Sequence, residues 1–411
     1  DISIKHFPQT DCPKQNSHQH IKTNCSFSIQ QSNDIRKMNR FTFFCLALYL
    51  SNTAGFSAVK KAHTHSLDKF VIGTAALAKK DNPELFLDAA YERGFNTFDL
   101  ARTYGGGESE RIFGRWLAKH GGKGSEARQN LYIITKGGMG EDKYGDPNRR
   151  RMTLESLKKE VHESLKSLDI EIIDMYMLHR DDPRIDVGTI VDWMNILIEE
   201  GHIKAWGVSN WPLDRTMEAI EYAEENEMVP PTSNSPQFSL AVPEVPVWPT
   251  TVSLSGPEEL STIEWYKQNN IDLYCWEVLA KGFMAKPDLW CEESVDREAL
   301  NRPVVIGSDD WRLQRIQKAY CTEDNYLRRS LATELAENHG LTLAQISTLY
   351  ALGISDNVKV VLGAGRAEHL DELLQLQHLE LCNVAMNRLT LADETAGPRE
   401  PVLITSGQFF D

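Results

Sequence analysis

Positive charge is what this chain has too little of. Against 59 acidic residues stand 44 basic ones, giving a formal net charge of −15 and a pI near 5.3. Such a surface repels a phosphate backbone, which excludes a general nucleic-acid-binding role; any bound phosphate must meet a local site. Cysteine pairs are missing as well. The seven cysteines, Cys12, Cys25, Cys45, Cys275, Cys291, Cys321 and Cys382, include no C-x-x-C spacing, so neither a zinc site nor a dense disulfide framework is indicated. Cys275, inside the apolar run LYCW, reads as a reduced core thiol. The apolar run at 41–50, FTFFCLALYL, is too short to span a bilayer, which takes about 20 residues. Two glycine signatures fail in turn. The first predicted strand ends in Gly73-Thr74-Ala75-Ala76 without the G-x-G-x-x-G of an open dinucleotide-binding sheet. Gly105-Gly106-Gly107 lacks the Gly-Lys-Ser/Thr of a phosphate loop and reads as a sharp turn beside Tyr104.

What is present is the composition of a globular protein with a sizeable core, 41% hydrophobic and 25% charged. A length of 411 residues accommodates two ordinary domains or one barrel of the β/α type. The N-terminal part reads as an address. Residues 1–37 are polar and aperiodic and precede the first methionine, Met38, so they read as untranslated-leader carry-over or a disordered extension. Residues 38–67 read as a cleavable signal- or transit-type targeting segment: Arg40, the run at 41–50, then the small residues SNTAGFSA. AGFSA at 54–58 resembles the bipartite plastid-targeting junction of algae with multi-membraned plastids, and VKKAHTHS after it is basic and hydroxylated. From Phe56 onward no N-x-S/T acceptor occurs. The expectation is therefore a plastid destination, with the secretory pathway as the alternative, a mature chain beginning near Phe56 or later, and no membrane attachment after processing.

From residue 70 short apolar runs alternate with amphipathic stretches. Predicted strands are FVIGT (70–74), FNTFD (95–99), LYIITK (131–136), IIDMYML (172–178), IKAWGVS (203–209), a short one near Asn234, IDLYCW (271–276) and VKVVLG (358–363). Between them, PELFLDAAYERG, ESERIFGRWLAKH, TLESLKKEVHESLKSL, VGTIVDWMNILIEEG and PLDRTMEAIEYAEEN repeat apolar positions at three and four residues. Alternation of this kind implies a parallel sheet under outer helices, and eight units favour an α/β fold of the (β/α)8 TIM-barrel type as a single domain over 68–395, with 396–411 as a tail. Two insertions, 241–262 and 285–325, follow predicted strands on the face where barrels place their chemistry and read as a candidate substrate lid. Trp211, Phe238 and Trp248 read as an apolar wall for a substrate.

Four polar residues stand at or just beyond predicted strand ends: Asp99, Tyr104, Lys136 and His179. Together they supply what carbonyl reduction needs. A hydride arriving at carbon leaves charge on oxygen, and a positioned acid must deliver a proton as that charge develops. A tyrosine can do so when an ammonium eases the phenolate left behind and a carboxylate holds that ammonium; a histidine can orient the carbonyl by a hydrogen bond. A metal-dependent hydrolase would need ligands on several strand ends. Only His179 fits that pattern, and Asp181 and Asp182 beside it read as loop residues.

The stretches DLARTYGGGESE, ITKGG, DMYMLHRDD, GHIKAWGVSN and VVLGAGRAEHLDELL resemble the aldo-keto reductase superfamily from about Gly73 to about Leu374, and Asp99, Tyr104, Lys136 and His179 match its tetrad. The resemblance implies a (β/α)8 barrel, a nicotinamide cofactor, usually NADPH with NADH as the alternative, and reduction of a small-molecule aldehyde or ketone with Tyr104 as proton donor. By the same resemblance Ser209 and Asn210 would hold the carboxamide, Ser235 stands where a carboxamide-binding Gln is usual, and Trp276 would stack on the nicotinamide. Gly363, Gly365 and Arg366 would receive the 2′-phosphate, with Glu372 on the helix beyond. His369 and Leu373 depart from the family's usual residues. The barrel is shared with potassium-channel β subunits, so a cofactor-binding regulatory subunit with little turnover is the second reading.

Overall fold

The computed structural model describes residues 59–61, 65–139, 152–285 and 311–391. These residues belong to one compact unit, 56–411. The leader through residue 58, the tail from 396, and most of the second insertion, 286–310, lie outside the described residues.

Eight parallel strands close a barrel in chain order: β2 (Phe70–Gly73), β3 (Thr97–Asp99), β4 (Tyr132–Gly137), β5 (Ile173–Leu178), β6 (Ile203–Ser209), β7 (Ser233–Ser235), β8 (Asp272–Trp276) and β9 (Val358–Leu362). Closure is made by β2 against β9, with Phe70, Val71 and Ile72 opposite Val360, Val361 and Leu362. Most strands were legible in the sequence as short apolar runs, because a barrel strand is buried on both faces. Successive side chains point to opposite faces, so Val71, Ile134, Met175, Met177, Tyr274 and Val361 fill the barrel, while Phe70, Ile72, Phe98, Ile133 and Val360 face the helices.

The outer layer follows the helical period. The helix Glu108–Lys119 buries Ile112, Phe113, Trp116 and Leu117 on one face, and Phe98 of β3 meets Phe113 at 5.1 Å between ring centroids. Removing that ring, Phe113→Ala, would cost about 3–5 kcal/mol, the usual cost of emptying a buried aromatic site. Capping boxes start two further helices, Thr153 with Ser156 before Leu154–Leu168 and Thr342 with Gln345 before Leu343–Ile354. Among the described residues no helix is long and apolar enough to cross a membrane.

Two elements differ from the sequence expectation. A strand β1 (Val59–Lys61) pairs antiparallel with β10 (Leu379–Leu381), Val59 opposite Leu381. The expected targeting segment, 38–67, therefore overlaps a strand of the folded body. A strand of three residues gives no period to read. The second insertion also contains structure of its own: a helix, Trp311–Tyr320, leads into another, Glu323–His339.

Candidate active site

Parallel strands present all their C-terminal ends on one face, and the tetrad comes from three neighbours there. Asp99 ends β3, Lys136 is the last residue but one of β4, and His179 follows β5 directly. Tyr104 opens a short turn after β3 in which Gly105, Gly106 and Gly107 all take positive φ, 59°, 66° and 86°. A Cβ at Gly105 would approach Ala78 Cβ to 2.9 Å, so the turn that sets Tyr104 against the strand ends needs glycine there.

The four residues converge. Buried Lys136 donates through Nζ to Asp99 Oδ1, to Leu100 O at 3.3 Å and to the Tyr104 hydroxyl oxygen at 3.3 Å, while that hydroxyl donates to Asp99 Oδ2 at 3.2 Å. The His179 ring meets the Tyr104 ring edge-on, centroids 5.8 Å apart at 80°. Its Nδ1 lies 3.5 Å from Thr103 Oγ1. Burial and the charges of Arg180 and Lys136 hold His179 well below the ordinary imidazole range, so it is neutral at neutral pH.

In the resting site the Tyr104 phenol is governed by burial and by Asp99. Burial and the Asp99 carboxylate push the phenol well above its ordinary value. Burial also lowers Lys136, against the pull of Asp99. The resting tyrosine keeps its proton.

The residues expected to hold a carboxamide also come together. Four of the predicted residues meet on one carbonyl, that of Ser235: it accepts from Ser209 Oγ at 3.0 Å, from the Asn210 backbone N at 3.1 Å and from Trp276 Nε1 at 3.1 Å. The Ser235 hydroxyl donates to Tyr274 O at 2.8 Å. Asn210 takes φ 60° and donates to Ser209 Oγ at 2.8 Å, leaving its buried Oδ1 without a partner.

The loop after β9 shows one difference. Gly365 N donates to His369 Nδ1 at 3.2 Å, so this N–H, expected to receive phosphate, is already engaged within the loop. Gly363 faces open space, and Arg366 is three-quarters exposed with Glu368 at 3.9 Å. Glu372 is half-buried on the helix Glu368–Leu376, where its backbone carbonyl accepts from Gln345. Sequence reading missed Lys80. Its ammonium donates to Ala364 O and Gly365 O at 2.7 and 2.8 Å, tying this loop to the turn after β2. Nothing in the local pattern around Lys80 signals a partner 285 residues away.

A model of the aldo/keto reductase family matches residues 69–394. The chain belongs to that family. It is 26% identical over 299 residues to an aryl-alcohol dehydrogenase, GME11368, of Pestalotiopsis microspora, covering 72% of this chain and 68% of that protein. Its fold is that of a thermostable aldo-keto reductase, Tm1743, solved with the inhibitor epalrestat: TM-score 0.55 at 20% identity, over 79% of this chain and 95% of the other. Aldo-keto reductases use nicotinamide cofactors and act on small carbonyl compounds, and the chain is accordingly an oxidoreductase.

The residues present fit such a cofactor. The orphaned Asn210 Oδ1 is an acceptor of the kind a carboxamide NH2 satisfies, and an unmet buried acceptor costs about 1–3 kcal/mol until it is satisfied. The expected apolar wall does not form as predicted. Trp211 is fully buried, and Phe238 stacks on Tyr350 at 6.0 Å, so both belong to the core. Trp248 instead has two cations near its ring, Lys281 and Arg315, each 5.1 Å from its centroid, and donates to Glu277 at 3.2 Å. The first insertion is thereby fastened over the end of β8.

Proposed function

We propose that this aldo-keto reductase uses NADPH to reduce an aldehyde to an alcohol, with an aryl aldehyde as the substrate class and Tyr104 as the proton donor. The observation that carries the reading is the hydrogen-bonded chain from Asp99 through Lys136 to the Tyr104 hydroxyl, beside a neutral His179. The aryl assignment is supported by the aryl-alcohol dehydrogenase similarity.

The cofactor, when bound, supplies the hydride. Everything else falls to the chain. Tyr104 holds its proton at neutral pH because burial and Asp99 disfavour the phenolate, so the donor form is the resting form. As negative charge develops on the carbonyl oxygen, the phenol delivers that proton, and the ammonium 3.3 Å from the phenol oxygen stabilises the charge it leaves. In the tautomer that carries its hydrogen on Nε2, His179 accepts from Thr103 at Nδ1 and can orient the carbonyl. Ser209, Asn210 and the Ser235 carbonyl would hold the carboxamide end, Trp276 would cover the ring, and Arg366 would face the 2′-phosphate.

The test is NADPH oxidation measured against a panel of aryl aldehydes, ketones and sugars, repeated with NADH. The reading expects turnover of aryl aldehydes with NADPH favoured. Tight cofactor binding without transfer to any carbonyl would replace it with a regulatory-subunit role.

A further inference from the structure

Beside the tetrad stands a cation that the reaction as derived does not use. Arg180 follows His179 at the mouth of the barrel and is half-buried there. Its guanidinium makes one hydrogen bond, from Nη1 to the carbonyl of His179 at 2.6 Å, and forms no ion pair among the described residues. A guanidinium presents five N–H donors in a planar fork, so most of its capacity is unused.

The two acids next to it in sequence cannot serve it. Asp181 is held by Arg215, at 3.1 Å, and Asp182 by Arg184, at 2.7 Å through Nε and 2.7 Å through Nη2. Asp99 is committed to Lys136 and Tyr104. Glu163 is paired with Arg102. Each of these four carboxylates thus has another cation, and among the described residues none is paired with Arg180. That charge is close enough to bear on Tyr104, Lys136 and His179 alike.

The cofactor's phosphates are not placed to neutralise it. In the closed ring of eight strands, β5 and β9 are four places apart in either direction, so Arg180 lies across the mouth from the loop of Gly363 and Arg366. A half-buried cation with open donors thus stands on the side of the mouth that holds the proton donor, across from the phosphate loop. We infer that Arg180 recognises a carboxylate carried by the substrate, so that the preferred carbonyl compounds are acid-bearing aldehydes. The inference rests on the reductase reading for its substrate and adds the anionic group that selects it.

The experiment compares 3- and 4-carboxybenzaldehyde with their methyl esters in the wild type, Arg180→Met and Arg180→Lys. The ester keeps the reacting carbonyl and the ring and removes only the charge. The ratio of kcat/KM for acid over ester should exceed about 10 in the wild type, fall roughly 10- to 100-fold in Arg180→Met, and be partly kept by Arg180→Lys. An equal loss for acid and ester would assign Arg180 to tuning Tyr104 and overturn the inference, as would a wild-type ratio near 1. Calorimetry of 4-(hydroxymethyl)benzoate against its methyl ester, on wild-type and Arg180→Met protein loaded with NADP+, separates this inference from the reductase reading. Absence of hydride transfer to either aldehyde would remove the reductase reading, yet acid-selective binding lost in Arg180→Met would keep the anion site. Equal binding of acid and ester by the wild type would remove the site itself.

Discussion

The phenol oxygen of Tyr104 lies 3.3 Å from Nζ of Lys136, and both groups share one carboxylate, that of Asp99. A proton donor and the cation that stabilises its conjugate base are thus held by a single anchor on the neighbouring strand end. Groups coupled this closely act as one unit.

Non-additivity follows from that coupling. Lys136→Met should lower the hydride-transfer rate by roughly 10²- to 10⁴-fold, as loss of a positioned acid does. Adding Tyr104→Phe to it should cost much less than the sum of the two separate effects. A double-mutant cycle in single-turnover kinetics checks this, and additive losses would show that Lys136 acts on something other than Tyr104.

Arg366 is three-quarters exposed, with Glu368 at 3.9 Å and His369 Nε2 at 3.5 Å as long contacts, so removing it should disturb little besides its ligand. Arg366→Ala is expected to weaken NADPH by roughly 10- to 100-fold, the equivalent of about 1.5–3 kcal/mol for a charge-assisted bond, and to leave NADH affinity much less changed. Titration of both cofactors by tryptophan fluorescence measures the difference. Equal weakening of the two would detach Arg366 from the 2′-phosphate.

The lowered His179 pKa links acidity to stability. Its folded-state value lies well below the ordinary 6.5, so between those two values the unfolded chain binds a proton that the folded chain does not. Stability then falls as pH drops below about 6.5, with a slope of up to about 1.4 kcal/mol per pH unit from this one group. His179→Gln should lose less stability between pH 7 and 5.5 than the wild type. Urea unfolding at the two pH values reads the difference directly, and identical pH slopes would contradict a neutral buried His179.

Strand β1 bounds any processing of the leader. Because Val59–Lys61 pairs with Leu379–Leu381, a mature chain should begin near Phe56 and no later than Val59. Mass spectrometry of the native protein locates that end, and peptides covering 41–50 in the mature protein would exclude removal of the leader.

The barrel was legible because strands buried on both faces, such as the one holding Phe70, Val71 and Ile72, stand out as short apolar runs between amphipathic helices. The tetrad was legible because strand ends on one face bring Asp99, Lys136 and His179 together whatever their separation in sequence. Three things were not. The pairing of β1 with β10 joins chain segments more than 300 residues apart through backbone bonds that impose no side-chain pattern. Lys80 reaches carbonyls of the Gly363–Arg366 loop, and a backbone acceptor leaves no trace in residue type. The burial of Trp211 and Phe238 reflects which face of a loop turns inward, which an aromatic residue by itself does not reveal.

The central claim is that the Tyr104 hydroxyl delivers the proton. Tyr104→Phe removes that one oxygen while keeping the ring against His179, so the protein should fold and bind cofactor as before. Single-turnover hydride transfer to an aryl aldehyde, with NADPH already bound, measures the step directly. A fall of about 10²- to 10⁴-fold with unchanged cofactor affinity is the result expected of a lost general acid. Transfer at close to the wild-type rate would contradict the assignment.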